Sequence, residues 1–338
     1  MRKDKSSHKK RKWLYIILSA LIIAIVLRTF FFESYRMPSF QMENAVLRGD
    51  YIFVNKTAYG VRMPMTWISF PFIPDSIPLL GVRTYSSFLS LPYTRLLEKK
   101  VKRNEIVLYN TPSLRKDISV DKLPLSISRC IGLPGDSIEI NEGNLYINGK
   151  KRVQSPDLIL PYEYPQRFDS RICYAMEKLN IPFRETRTKT DSIVRYLSRF
   201  EAYSIREELP DSIEIRIQEK SDLNYKLFIP KKGTTINLLP SIVHIYLQVI
   251  IEEQKNKSVK IEDGKLYLEN KVIDSYTFSR DYYWMLSDNT ESSADSRHFG
   301  FIPETHIVGK AGLIWMSKDA SQGFFKGFRK SRIFTKIN

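Results

Sequence analysis

Chemistry near neutral pH usually falls to histidine, cysteine, carboxylates or an activated hydroxyl, and the first two offer little here. His8, His244, His298 and His306 include no pair at ligand spacing, and neither an H-E-x-x-H run nor a Cys/His cluster occurs. Cys130 and Cys173 lie far apart without C-x-x-C spacing, so one disulfide and two separate buried thiols both stay open. There is no G-x-G-x-x-G, phosphate loop or G-x-S-x-G elbow, and no aromatic and basic interleaving of the kind that binds single strands. Metal, nucleotide and nucleic-acid readings drop out together, and no cofactor is expected. The hydroxyl worth following is Ser39, with Gln41 two residues on, in the stretch Met37-Pro-Ser-Phe-Gln-Met-Glu-Asn-Ala-Val-Leu-Arg-Gly-Asp50.

That stretch sits immediately outside the only segment able to cross a membrane. Trp13–Phe32 is a 20-residue apolar run whose single charge, Arg28, lies near its far end. As a helix it reaches about 30 Å. It is too long for a signal peptide and lacks small residues at a cleavage site. The formal charge of +16 is concentrated at the ends: +6 in residues 1–12 and +5 in residues 318–338, which leaves +5 for the whole middle. Basic ends beside an anchor suit anionic lipid or the fixing of topology better than a phosphate groove. The positive-inside rule puts residues 1–12 in the cytoplasm and everything after Phe32 outside, as a single-pass protein of the inner membrane.

The remaining pattern is mostly that of strands. Met37–Lys56 reads as a strand with a turn at Gly49-Asp50. Met63–Pro74, continuing to about Tyr93, is too proline-rich for a helix and forms either a membrane-facing or a covering loop. Val101–Asn110 and Ser126–Asp136 read as strands, and Ser137–Gly149 and Val259–Leu268 as two hairpins that echo each other. Such an echo suits a sheet over 33–160 and 260–317 interrupted by a mixed α+β insertion at 161–259. Within the insertion, helices are expected over Ser170–Leu179 and Asp191–Phe200, a strand over Ser212–Gln218, and a helix capped by Ser241 and running through Ile251. Residues 318–338 are left as a basic tail.

Four segments in fixed order then carry a resemblance: Met37-Pro-Ser39 with Met42; Arg48-Gly-Asp-Tyr-Ile-Phe-Val-Asn-Lys56; Arg129-Cys-Ile-Gly-Leu-Pro-Gly-Asp136; and Ser287-Asp-Asn-Thr-Glu-Ser-Ser-Ala-Asp-Ser-Arg297 with Gly300-Phe-Ile-Pro303. Behind one N-terminal anchor, this set resembles the bacterial type I signal peptidases, membrane-bound endopeptidases that remove signal peptides. The resemblance implies a mainly β fold, an antiparallel sheet on the outer membrane face, with a Ser-Lys dyad in an apolar groove. In such a dyad a lysine takes the serine's proton only if burial keeps its amine neutral.

The positions that match the dyad are Gln41, where the nucleophile is expected, and Ser128, where the lysine is expected. An amide forms no acyl-enzyme and a serine abstracts no proton at neutral pH. Phe40, Asn44 and Ala45 also depart from the family pattern, whereas Gly49-Asp50, Gly132–Asp136 and Ala294–Arg297 keep it. By the same resemblance Ser39 matches an oxyanion donor, Ser293 the residue that orients the lysine, and Asp295 and Arg297 a structural ion pair; His298 reads as structural. Met37, Pro38, Met42, Val46 and Ile127 match the lining of the substrate pockets, and as apolar residues they suit a core as well. Three readings follow. One is a non-catalytic homologue that binds signal peptides or exported preproteins beside the bilayer, with an intact signal peptidase or the export machinery as a further partner. Another is an active peptidase using Ser39 as a displaced nucleophile. The third is a structural partner in an export or surface-assembly machine.

Overall fold

The helix Asp4–Val26 opens the chain, and one π-turn at Leu27–Phe31 turns it into the strand Phe32–Arg36. Its stretch Arg11–Phe31 is long and apolar enough to cross a bilayer and is not packed inside the protein. The computed structural model describes residues 4–43, 45–66, 76–77, 82–83, 91–113, 115, 118–141, 144–152, 158–184, 186–210, 213–218, 225–255, 257–289, 295–319, 322 and 326–337. Most of the proline-rich stretch expected as a loop lies outside these residues, as does Ser293.

The architecture is mainly β. Eight antiparallel strands form the main sheet, in the order Phe32–Arg36, Asp50–Asn55, Ile307–Ser317, Ile106–Asn110, Leu125–Gly132, Tyr282–Leu286 and Ile302–Pro303, with Thr335–Lys336 alongside Ile307–Ser317. Period-two alternation explains the second strand, which buries Ile52 and Val54 and exposes Phe53 and Asn55. Ile106–Asn110 is buried at every position because both its faces are covered. Ile106 and Leu108 join one core with Met37, Met42 and Ile127, while Val107 and Tyr109 join another with Cys130 and Met285. The long Ile307–Ser317 strand shifts register against both neighbours. At Gly309 a Cβ would lie 2.6 Å from the Asn55 carbonyl oxygen, so the approach admits only glycine.

Residues 159–217 hold a second sheet, ordered Thr186–Thr188, Ser192–Ser198, Ile159–Pro165 and Arg216–Ile217. The helices Asp169–Lys178 and Arg199–Glu208 share its core of Ile172, Met176, Leu197, Ile205 and Ile215. Asp191–Phe200 is thus corrected from helix to strand. Ile193 through Leu197 are all buried between two neighbouring strands, and β-branched residues in a central strand outweigh a coincidental helical spacing. The strand expected over Ser212–Gln218 shortens to Arg216–Ile217, with Ile213 and Ile215 buried just before it.

Residues 225–253 leave this sheet. Tyr225–Phe228 pairs with Ser137–Asn141, the first strand of the earlier hairpin, and the helix Val243–Glu253 packs in a core shared with Ile138, Leu266, Trp284 and Phe301. The helix is capped at Ile242 without a side-chain hydrogen bond, so Ser241 does not cap it. Both hairpins read from the sequence form, and both feed this core. Cys130 is buried, Cys173 half-buried, and both are free thiols.

In the same region Glu252 and His306 are buried together, with Oε1 3.7 Å from Nδ1. Burial pushes the Glu252 carboxyl up to about 7 from an ordinary 4.5, against a partial pull from Lys255 and Arg280, while burial holds His306 well below 6.5. The Glu252 contribution to stability is therefore complete below pH 4.5 and is lost as pH rises through 7. The His306 contribution is complete above pH 6.5 and is lost as pH falls. Where these windows overlap, the two slopes oppose each other. Glu252→Gln is expected to unmask the histidine: between pH 5 and 6.5 its stability should climb by about 1.4 kcal/mol per pH unit relative to the parent, read by denaturant unfolding at each pH.

Candidate functional site

The stretch from Met37 to Gly49 is not part of a strand. It closes on itself as a compact loop: the Met37 N–H donates to the Asp50 carbonyl (2.8 Å) and the Gly49 N–H to the Met37 carbonyl (3.0 Å). Gly49 has φ +87°, which a residue with a Cβ adopts only under strain. Inside the neck, the Val46 N–H donates to the Met42 carbonyl at 2.7 Å, a helical turn that points Met42 and Val46 inward. Three apolar residues, Met37, Met42 and Val46, pulled into one core favour this loop over an extended strand. Ser39 and Gln41 therefore do not share a strand face.

The Ser39 hydroxyl oxygen is enclosed and has no hydrogen-bond partner among the described residues. Gln41 is half-buried, and its carbonyl accepts the Asn289 N–H at 2.9 Å. Phe40 is exposed, with the Arg48 guanidinium 5.4 Å from its ring centre. Pro38 is exposed, whereas Met37, Met42, Val46 and Ile127 have no exposed surface.

Ser128 lies in the Leu125–Gly132 strand, fully buried, in a chain of three hydroxyls. Its Oγ is 3.2 Å from the Tyr109 Oη and 3.2 Å from the Ser287 Oγ. Hydroxyls donate and accept, so this chain satisfies itself and holds no group that is both neutral and basic at pH 7. Lys56 and Lys310, on or beside the strands that flank the loop, are both engaged elsewhere. Lys56 donates to Glu33 (2.8 Å) and to the carbonyls of Arg28 and Thr29, which tie the sheet to the end of the apolar helix. Lys310 donates to Glu105 at 2.8 Å.

Around these positions the frame is intact. Arg129 meets Asp288 through two bonds of 2.9 and 2.8 Å, the bidentate geometry that fixes both planes. Asp295 pairs with Arg297 at 2.6 Å, caps the short helix Ser296–Phe299 and accepts the Ser287 N–H. His298 sits on that helix.

One strand edge beside the loop carries no further paired strand among the described residues. The Cys130 N–H donates to the Glu105 carbonyl, so by antiparallel alternation Ser128 and Ser126 also turn their backbone toward Ile106–Asn110. Ile127 and Leu125 then face the other side, where pairing with Tyr282–Leu286 stops at Arg129. Tyr35 reaches this edge, its Oη donating to the Leu125 carbonyl at 3.4 Å.

Residues 318–338, expected as a free basic tail, fold back in part. Arg332 donates to the buried Asp50 at 2.8 and 3.2 Å and to the Ala45 carbonyl, and Arg329 donates to the Arg48 carbonyl. Ile337 enters the core of Met37, Met42 and Val46. The sequence reading missed this clasp, the Tyr109 and Ser287 hydroxyls, and the pairing of Glu43 with Arg184 (3.1 Å). Among the described residues no three His, Cys, Asp or Glu side chains gather as a metal site.

A family model described as signal peptidase, peptidase S26, matches residues 10–193 and 246–316. Similar curated proteins are each named signal peptidase I. That of Buchnera aphidicola subsp. Baizongia pistaciae is 26% identical over 90% of this chain and 76% of its own length. That of Haemophilus influenzae is 23% identical over 96% and 75%, and that of Rickettsia akari 25% identical over 91% and 80%.

Proposed function

The chain belongs to the signal peptidase family, peptidase S26, and from that premise we propose that it is a non-catalytic member that binds signal peptides or the preproteins carrying them. The observation that carries this reading is the buried hydroxyl chain at Ser128: the position expected to supply the amine holds a self-satisfied serine. Gln41 supplies no nucleophile, and Ser39 has no base within hydrogen-bonding distance among the described residues. A serine without a proton acceptor attacks no peptide bond at a useful rate.

The retained frame supports a binding role. An extended segment adds to a sheet through backbone hydrogen bonds, and the outward-facing backbone of Ile127 offers such a place, beside the Leu125 carbonyl that Tyr35 holds. Preproteins arrive through the membrane, so in this reading the helix Asp4–Val26 spans the bilayer with the basic start inside and the sheets outside. Division of the outer part into a peptidase-like sheet and an inserted module belongs to the same proposal.

The test is incubation of the detergent-purified protein with a reporter preprotein, beside Ser39→Ala. No cleavage product is expected from either. Cleavage by the parent that Ser39→Ala abolishes would instead identify an active enzyme with a displaced nucleophile.

A further inference from the structure

The Met37–Asp50 loop is held at both ends, and the two grips differ. Its neck is fixed by backbone bonds between Met37 and Gly49-Asp50, and by Asp50 in the hands of Arg329 and Arg332. Its tip is held by the Ile159–Ile217 sheet, far away in sequence. Arg184, almost wholly buried, sets its Nε 3.1 Å from the buried Glu43 carboxylate. The Gln41 carbonyl accepts from Asn289, and Asn289 lies beside Ile159 in a parallel bridge whose Ile159 N–H donates to the Asp288 carbonyl.

The two partners of the tip contact would fare differently on separation. Arg184 also donates to both carboxylate oxygens of Glu201, at 2.8 and 2.9 Å, and to the Tyr196 carbonyl. Its guanidinium stays paired if Glu43 leaves. Glu43 is the opposite case: it is desolvated where it lies, and burial raises its carboxyl against the pull of Arg184, so movement to water restores its hydration. Opening the tip breaks the Glu43–Arg184 ion pair and the Asn289–Gln41 backbone hydrogen bond, and it adds the cost of wetting apolar surface. It uncovers Met37, Met42 and Ile127, which have no exposed surface in the closed state, and the Ser39 hydroxyl, whose hydrogen bonds are unmade there.

We propose that the Ile159–Ile217 sheet is a latch on this loop: the Glu43–Arg184 contact keeps the groove shut, and its separation swings the tip about the fixed neck. The latch rests on the peptide-binding reading for its purpose but not for its motion. In the closed state the side chains that an extended apolar segment would touch are covered, so any binding draws on the open population and is weakened by the fraction that is closed.

Glu43→Gln keeps the shape and removes the charge. In the full-length protein in detergent, hydrogen exchange of the amides in 37–49 is expected to quicken about tenfold, while Ile106–Asn110 stays protected as in the parent. A fluorescein-labelled synthetic signal peptide, read by anisotropy, is expected to bind roughly five- to tenfold tighter. Arg184→Lys, too short to hold Glu43 and Glu201 together, should act in the same direction. Unchanged exchange in 37–49 in both variants, or exchange that rises equally in Ile106–Asn110, overturns the latch. Faster loop exchange with no peptide bound by parent or variant supports the latch and sinks the peptide-binding reading instead.

Discussion

Gln41→Ser, Ser128→Lys and Ser287→Gly, made together, are expected to turn a chain proposed to be non-catalytic into one that cleaves a reporter preprotein about a thousandfold or more above the parent's background. The third change comes from geometry. Ser128 is fully buried, and its pocket is filled by the Tyr109 and Ser287 hydroxyls, each 3.2 Å away. A lysine is longer by about three heavy atoms, and overpacking a closed site displaces its neighbours. Trimming Ser287 removes one of the two obstacles without touching its backbone N–H bond to Asp295. The nearby carboxylates, Asp288 and Asp295, are already held by Arg129 and Arg297, so burial should outweigh their pull on an amine at 128 and its pKa would fall. Activity of the triple variant should therefore rise with pH as that amine loses its proton. Each single change should be silent, since a nucleophile and its base act as a unit. A triple variant that unfolds at the parent's temperature yet cleaves nothing would show that the frame has drifted too far to hold a dyad.

How much of this was legible in the sequence depends on the range of the interaction involved. The apolar helix, the two hairpins and the strand Asp50–Asn55 follow from patterns within about ten residues, and they formed as read. Local pattern failed where distant chain supplied the decisive contact. Ser192–Ser198 has helical spacing in isolation and becomes a strand because Ile159–Pro165 and Thr186–Thr188 flank it. Met37–Gly49, read together with Asp50–Lys56 as one strand, curls into a loop because Ile337 and Ile127 complete a core around its methionines. The site divides in the same way. Gln41 and Ser128 were assigned as dyad positions by resemblance, yet the hydroxyls that fill the pocket come from Tyr109, which bears no local mark, and from Ser287, which opens a matched segment without any sign that it reaches Ser128. Charge was the most misleading quantity. Arginines counted toward a lipid-facing tail prove to be the partners of one buried carboxylate.

That carboxylate should be the most sensitive single position for stability. Asp50 has no exposed surface and gathers the Leu47 N–H (2.8 Å), the Ser317 hydroxyl (2.6 Å) and Arg332, with Arg329 at 3.4 Å. Asp50→Ala strips four donors of their acceptor, and two of them belong to guanidinium groups that are three-quarters covered. Breaking such a pair from one side costs about 3–5 kcal/mol, because the remaining charges stay buried without compensation. For a chain of this size that is a fall of about 4–7 °C in the unfolding temperature, read by a thermal scan in detergent. Arg332→Ala removes a partner rather than the hub, and Arg329 and Ser317 remain for Asp50, so its cost should be smaller, roughly 1–2 kcal/mol. Truncation before Phe328 should match the Asp50 variant rather than the Arg332 one, because it removes both arginines and Ile337 from the Met37 core at once. A truncated chain as stable as the parent would make the clasp ornamental and return residues 318–338 to the role of a lipid-seeking tail.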